Sequence, residues 1–251
     1  MSLVHLESAA VEGVRVLTLN DPDRRNALSP ALQSALGEAA AVVAADPDAR
    51  VLVVAGAGSA FCAGADLPAL FGDQDRNVAE VRVGLRAIYD SFLRIKRLEI
   101  PTIAAVHGPA IGAGVNLAMA CDVRIAGPQA RFGVTFAKLG LHPGGGCSWF
   151  LTQALGRQRA LSLLLDGGAL SAAEALRLGL VLEIVDNPLA AALETANRWA
   201  ALDAAVARDM KRAVGLAEVA GFDATLDFES WAQASSARNP LLAEAVARFA
   251  R

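Results

Sequence analysis

Apolar positions in the first half of the chain fall into short unbroken runs, separated by longer helical stretches. Val14–Leu19, residues 51–55 and Thr102–Val106 are β-branched apolar runs bounded by polar residues or glycine, with Pro101 directly before the third. Such runs predict buried strands. Ser29 followed by Pro30 reads as an N-cap with proline at the first helical position, and predicts a helix to about residue 45. A second, longer amphipathic pattern covers residues 78–98. Strand, helix and strand in repetition predict an α/β core with parallel strands.

Further along, Val123–Ala126 and Arg131–Gly133 predict two more short strands, and beyond Gly146 the pattern turns mainly helical. Ser171 with Glu174 three residues on forms a capping box for a short helix ended by Gly179. A last strand is expected over residues 182–185. Beyond Pro188, helices are expected over 189–201, 204–217, 222–237 and 240–249, packing on the core or on another subunit. No repeat or low-complexity tract interrupts the chain. The expected division is an α/β core over residues 1–187 and a helical C-terminal region over 188–251.

Composition narrows the class. The 251 residues, 54% of them hydrophobic, suffice for one large domain, possibly with a small appendage, since domains run to roughly 100–200 residues. A net charge of −3 argues against nucleic acid, which calls for a basic stripe. The first residues lack a basic start followed by a long apolar run, so no signal peptide is read. No apolar stretch approaches the roughly 20 residues of a membrane span. Cys62, Cys121 and Cys147 are widely spaced and odd in number, fitting neither a disulfide framework nor a zinc site. The expectation is a soluble cytoplasmic protein with buried thiols and no metal.

Candidate chemistry lies in three glycine-rich turns: GAGSAFCAGADL (56–67), HGPAIGAGVNLAMACD (107–122) and GLHPGGG (140–146). Small residues let a ligand approach the main chain, and a helix beginning there directs unpaired N–H groups outward. Two such turns after neighbouring parallel strands would bring two donors around one oxygen, the arrangement of an oxyanion hole. Equally, glycines permit tight packing of strand on helix. Other glycine motifs fail on spacing: Phe61 and Leu117 occupy the last glycine positions of GxGxxG. There is no GxxxxGK[ST] loop and no GxSxG elbow.

LTLNDPDRRNALS, VLVVAGAGSAFCAGADL, PTIAAVHGPAIGAGVNLAMACDVRIAG, RFGVTFAKLGLHPGGG and LSAAEALRLGLV occur in order along nearly the whole chain. Together they resemble the enoyl-CoA hydratase/isomerase (crotonase) superfamily. The resemblance implies a core of repeated ββα units and C-terminal helices that help form trimers, often paired into hexamers. It implies a coenzyme A thioester as substrate, with no tightly bound cofactor. It places the oxyanion-hole N–H groups on Ala65 and on Ala113, the latter usually glycine and preceded here by Gly112. Adenine and pantetheine contacts would come from around Ala63, Ala65, Asp66 and Leu67. Arg24 or Arg25 would lie near the phosphates, unless they are solvated surface charges.

The chain departs from that pattern where protons are handled. In the family's hydratases two glutamates activate the water and deliver the proton. Their places are held here by Asn116 and Phe136, and the places of other family acids by Gly144 and Gly145. An amide can position a water or a carbonyl but exchanges no proton near neutral pH, and phenylalanine does neither. Phe136 suggests an apolar acyl pocket. His142 is the remaining candidate acid/base, against a turn histidine bonded to backbone. Asp66 is expected to cap a helix, Asp122 to be buried and structural, His107 to be structural and Cys62 to pack in the core. Two readings result: an acyl-CoA enzyme with atypical residues, or a non-catalytic acyl-CoA-binding protein.

Overall fold

The computed structural model describes residues 2–249. Its opening strand, β1 (Val4–Ser8), is one the apolar pattern does not announce, because it lies at a sheet edge and buries only Val4. β1 runs antiparallel to β2 (Val14–Leu19), with Val4 opposite Leu19. Helix α1 (Pro30–Ala45) starts as its sequence requires: Ser29 accepts the Leu32 N–H, and Pro30 needs no acceptor. Strand β3 (Val51–Gly56) follows, then the short α2 (Leu67–Phe71) and α3 (Val78–Lys96). Asn77 and Glu80 close a capping box on α3.

The next turns carry β4 (Thr102–Val106), β5 (Pro109–Ile111), α4 (Ala113–Ala120), β6 (Val123–Ala126) and β7 (Arg131–Gly133). α5 (Cys147–Asp166) is broken at Gly156, whose φ of 74° and ψ of 161° are not helical. β8 (Ala169–Ser171) leads into α6 (Ala172–Arg177) through the expected capping box of Ser171 and Glu174. β9 (Glu183–Ile184) ends the strands. The main sheet has the order β1-β2-β3-β4-β6-β9 and is parallel from β2 onward. A small second sheet, β5-β7-β8, pairs β5 with β7 in parallel and β7 with β8 antiparallel.

β3 is buried on both faces, which is why it reads as an unbroken apolar run rather than an alternating one. Leu52 and Val54 join the larger core, with Leu32 and Leu36 of α1 and Phe92 and Ile95 of α3. Val51, Val53 and Ala55 point the other way, into a smaller core shared with Ala192 and Ala196 of α7 (Pro188–Ala200). Because α7 covers that second face, the first compact unit runs through Ala200, one helix beyond the expected division at 187/188.

The second unit begins at Ala201 and holds α8 (Ala204–Ala217), α9 (Phe222–Ser236) and α10 (Pro240–Phe249). Asp203 caps α8 and accepts a 3.1 Å hydrogen bond from Asn239 Nδ2, while the Arg212 guanidinium lies 4.9 Å from the Phe228 ring centre. Met210, Val214, Phe222, Trp231 and Leu241 are all exposed.

Asp122 proves exposed rather than buried, yet it is structural. Its Oδ2 accepts the Thr102 N–H at 2.7 Å and the Thr102 hydroxyl at 2.8 Å, while its own N–H donates to Thr102 Oγ1 at 2.9 Å. The starts of β4 and β6 are thereby tied together. Asp122→Ala leaves the buried Thr102 main chain without that acceptor, and should cost about 1–3 kcal/mol in urea denaturation. A loss below about 0.5 kcal/mol, the range of ordinary surface changes, would contradict this account.

Candidate active site

The turn after β3 is held from one side by the segment before α1. Asn26 is fully buried in the left-handed region, with φ of 56°, a conformation asparagine tolerates better than most residues. Its Nδ2 donates to the carbonyls of Ala57 and Ala60, both at 2.9 Å, and of Phe61 at 3.2 Å. Its Oδ1 accepts the Asp21 N–H at 2.9 Å. The Ala63 N–H donates to the Arg25 carbonyl at 2.9 Å, and the Leu28 N–H to the Gly64 carbonyl at 2.7 Å. From the other side the turn docks on β5: the Cys62 N–H donates to Pro109 at 3.2 Å and the Ile111 N–H returns to Cys62 at 3.0 Å.

This docking leaves no room for side chains at two glycines. A methyl group on Gly64 would sit 2.5 Å from the Ile111 carbonyl oxygen and 3.5 Å from the Ala113 nitrogen. One on Gly114 would overlap the Cys62 carbonyl. The two turns after β3 and β4 therefore face one another at main-chain distance. Ala113 is the first residue of α4, which no side chain caps. No hydrogen bond of the described residues uses the N–H of Ala65 or of Ala113. Two unengaged donors thus sit in adjoining turns, the second at the partially positive end of a helix.

Asn116, one turn along α4, is 1% exposed and donates from Nδ2 to the Gly144 carbonyl at 2.8 Å. Phe136 is half-buried, with its ring edge 3.7 Å from where a methyl on Gly112 would stand. Tyr89 of α3 closes the same corner: its hydroxyl lies against Gly144, and its ring is 3.1 Å from a methyl placed on Gly145. Burial pushes the Tyr89 phenol above its ordinary value, opposed by the nearby Gly145 N–H. The phenol is therefore neutral at neutral pH. His142, by contrast, is exposed, with Nδ1 against the Pro143 carbonyl at 2.7 Å.

On the outer side of the first turn, Asp66 caps α2 through the Ala69 N–H and pairs with Arg24 Nη2 at 2.6 Å. Arg24 holds the Asp66 carboxyl below its ordinary range, and Asp66 in turn raises Arg24. Arg25 is exposed, as is Leu67 at the start of α2, while Ala63 is half-buried. Cys62 donates its thiol to the Asn26 carbonyl at 3.1 Å, and burial pushes it up to about 12, so it carries no thiolate at neutral pH. His107 bonds through Nε2 to the Gly58 carbonyl at 3.0 Å. Among the described residues no group of His, Cys, Asp and Glu could hold a metal ion. No described helix is long and apolar enough to cross a membrane.

Residues 9–244 match the family model described as Enoyl-CoA hydratase/isomerase. The chain belongs to this family. A Mycobacterium tuberculosis protein named "Probable enoyl-CoA hydratase" is 51% identical over 73% of this chain and 70% of its own length. The 1,2-epoxyphenylacetyl-CoA isomerase of Escherichia coli is 35% identical, over 98% of this chain and 94% of its own. Among solved structures, an enoyl-CoA hydratase from Bacillus anthracis superimposes with a TM-score of 0.90 at 30% identity, covering 98% of this chain and 95% of the other.

Within the enoyl-CoA hydratase/isomerase fold, Ala65, Ala113, Gly112, Asn116 and Phe136 are brought to one corner, and Arg24, Asp66 and Leu67 to its rim. Two residues of this corner were not legible in the sequence. Tyr89 is the single tyrosine of the chain, but within an amphipathic helix it reads as one more core-facing aromatic. Asn26 sits in a turn whose hydrogen-bond partners are more than 30 residues away.

Asn26→Ala removes all four side-chain bonds and places alanine at positive φ; the expected loss is about 3 kcal/mol or more by chemical denaturation. A near-neutral result would show that the turn does not depend on this clamp. For Asp66 the folded value is depressed, so the pair's small, screened contribution is present above about pH 3.9 and lost as pH falls through the folded value. Carboxyl NMR titration should find the Asp66 midpoint below that of an ordinary aspartate, rising in Arg24→Ala.

Proposed function

We propose that this enoyl-CoA hydratase/isomerase family member binds an acyl thioester of coenzyme A, with the thioester oxygen between the N–H groups of Ala65 and Ala113. The unengaged donors in adjoining turns carry this reading. Charge developing on that oxygen, as an enolate or a tetrahedral oxyanion, would be stabilised by donors already in place, usually the largest single contribution to catalysis. The methyl of Ala113, where the family usually has glycine, narrows the pocket without removing the main-chain donor. Arg25, exposed beside the turn, and Arg24, shared with Asp66, are the cations available to the phosphates. Ala63, Asp66, Leu67 and Gly112 would line the pantetheine and acyl path, with Phe136 as its apolar wall.

Proton transfer distinguishes two forms of this reading. Neither the Asn116 amide nor the Phe136 ring acts as a Brønsted acid or base near neutral pH, and each lost general acid–base step is typically worth about 10²–10⁴-fold. His142 is the nearest imidazole in sequence, but it is turned to the Pro143 carbonyl. The family relationship favours an enzyme acting on an acyl-CoA. The absence of both carboxylates at Asn116 and Phe136 favours, as the second form, a non-catalytic acyl-CoA-binding protein. The exposed apolar residues of α8–α10 support self-association, as a trimer or pairs of trimers. We assign the protein to the cytoplasm on its unpaired, buried cysteines.

Calorimetry with coenzyme A and butyryl-CoA tests the binding claim; absence of binding to both overturns it. Steady-state assays on crotonyl-CoA and longer enoyl-CoAs then separate enzyme from binding protein. Ala113→Pro deletes the second donor at a helix position that tolerates proline. With the melting transition retained, it should lower any turnover by about 10²–10³-fold. Unchanged turnover in that variant would remove Ala113 from the site.

A further inference from the structure

We propose that this protein decarboxylates a coenzyme A thioester bearing a carboxylate on its α-carbon, with Tyr89 delivering the proton that takes the place of the departing CO2. The proposal rests on the acyl thioester reading above and deepens it by naming the substrate class. A pair of main-chain donors around the thioester oxygen serves reactions that pass through an enolate or a tetrahedral oxyanion. An enolate is reached by taking a proton from carbon, or by adding an activated water to an enoyl thioester. Both routes need a general base. Loss of CO2 from the α-carbon needs none, because the electron pair of the broken C–C bond itself becomes the enolate.

The described groups around the two turns that could act as a base are engaged elsewhere. Asp66 caps α2 and is paired with Arg24 at 2.6 Å, which weakens it as a base. Cys62 is fully buried and donates its thiol to the Asn26 carbonyl. His107 is bonded to the Gly58 carbonyl at 3.0 Å, and the exposed His142 to the Pro143 carbonyl at 2.7 Å. Asp73, Asp75 and Glu80 are exposed. What the fold brings to the corner instead is a weak acid. The Tyr89 hydroxyl fills the place of a Cβ on Gly144, on the turn that Asn116 of α4 ties down at 2.8 Å. Burial keeps that phenol protonated at neutral pH. A methyl on Gly112 would meet only the Phe136 ring, at 3.7 Å, beyond its own chain neighbours, so the space beside Gly112 is walled by that ring and otherwise open. A carboxylate brought against such an apolar wall loses hydration, and its conversion to neutral CO2 relieves that penalty.

With the thioester oxygen between the N–H groups of Ala65 and Ala113, the bond from the α-carbon to the carboxylate carbon breaks. CO2 leaves, and the electron pair passes onto the thioester as the enolate. The Tyr89 hydroxyl then gives its proton to the α-carbon, a new C–H bond forms, and the phenolate recovers a proton from water. One carboxylate and one proton are consumed; one CO2 and one decarboxylated acyl thioester are formed, with no further reactant. The transfer runs downhill, because a thioester enolate is a far stronger base at carbon than a phenolate.

The test incubates the intact protein with malonyl-CoA and methylmalonyl-CoA and follows loss of CO2 by mass spectrometry, with butyryl-CoA as the uncarboxylated control. At least one carboxylated thioester should be decarboxylated over many turnovers, while butyryl-CoA held with the protein in D2O takes up no deuterium at its α-carbon. Deuterium uptake would reveal a base and overturn the argument. In Tyr89→Phe, with melting transition and butyryl-CoA affinity retained, decarboxylation should slow by about 10²-fold or more. In D2O the parent should also place deuterium on one face of the propionyl-CoA formed from methylmalonyl-CoA, and Tyr89→Phe should give both configurations. Turnover and configuration both unchanged in that variant remove Tyr89 from the reaction. Binding of butyryl-CoA without CO2 release from either carboxylated thioester overturns the decarboxylation and leaves the acyl thioester reading standing. Failure of all three thioesters to bind overturns that reading, and the decarboxylation with it.

Discussion

The main chain of Cys62 lies directly on β5, and the candidate site depends on that contact. Two hydrogen bonds, from Cys62 to Pro109 and from Ile111 to Cys62, fix the turn after β3 against the turn after β4. The approach is close enough that Gly64 and Gly114 admit no Cβ. Were either glycine to carry a side chain, the turns would part, and the N–H groups of Ala65 and Ala113 would no longer adjoin. Asn26 holds the same turn from behind through three carbonyls, so the loop is gripped on both sides by hydrogen bonds rather than by side-chain packing. Polar groups satisfied inside a buried region are costly to disturb, which makes this corner rigid.

The larger architecture serves to bring those turns side by side. β3 and β4 are neighbours in a parallel sheet, so the loops at their C-terminal ends emerge on the same edge. Burial on both faces fixes the register, since a slip of one residue would exchange Leu52 and Val54 with Val51 and Val53 between the two cores. α7 is part of this arrangement because it seals the second face, and so it belongs to the compact unit that holds the site.

The chemistry is unequal in its two halves. In the proposed reading an oxyanion is stabilised by main-chain donors, which most changes of side chain leave in place, and among the described residues the N–H groups of Ala65 and Ala113 are unengaged. Moving a proton needs particular side chains, and the resemblance read from the sequence implies the family's acid positions at Asn116 and Phe136, an amide and a phenyl ring. Those residues lie in a neutral corner: Asn116 anchored on Gly144, Tyr89 with its phenol pushed away from ionisation, and Phe136. Such a corner favours recognition by hydrogen bonding and shape over acid–base exchange. An enzyme built on it would rely mainly on the electrostatics of the two turns.

Local sequence determined much of this protein. Strands β2, β4, β6 and β7 coincide with their apolar runs, and α1 begins at Ser29 and Pro30 because cap and proline chemistry act within a few residues. The glycine-rich turns were visible for the same reason, and the order of motifs indicated the family. Tertiary structure alone decided three further matters. β1 is a strand because β2 offers it an edge, not because VHLES favours one. Asn26 became a clamp only when the chain brought residues 57–61 to it. Tyr89 and Asn116, 27 positions apart in the sequence, reach the same glycine turn only through the packing of α3 and α4. Propensity and capping act over a few residues and can be read along the chain, whereas a site is a set of distances between segments, and those are set by how the buried faces fit.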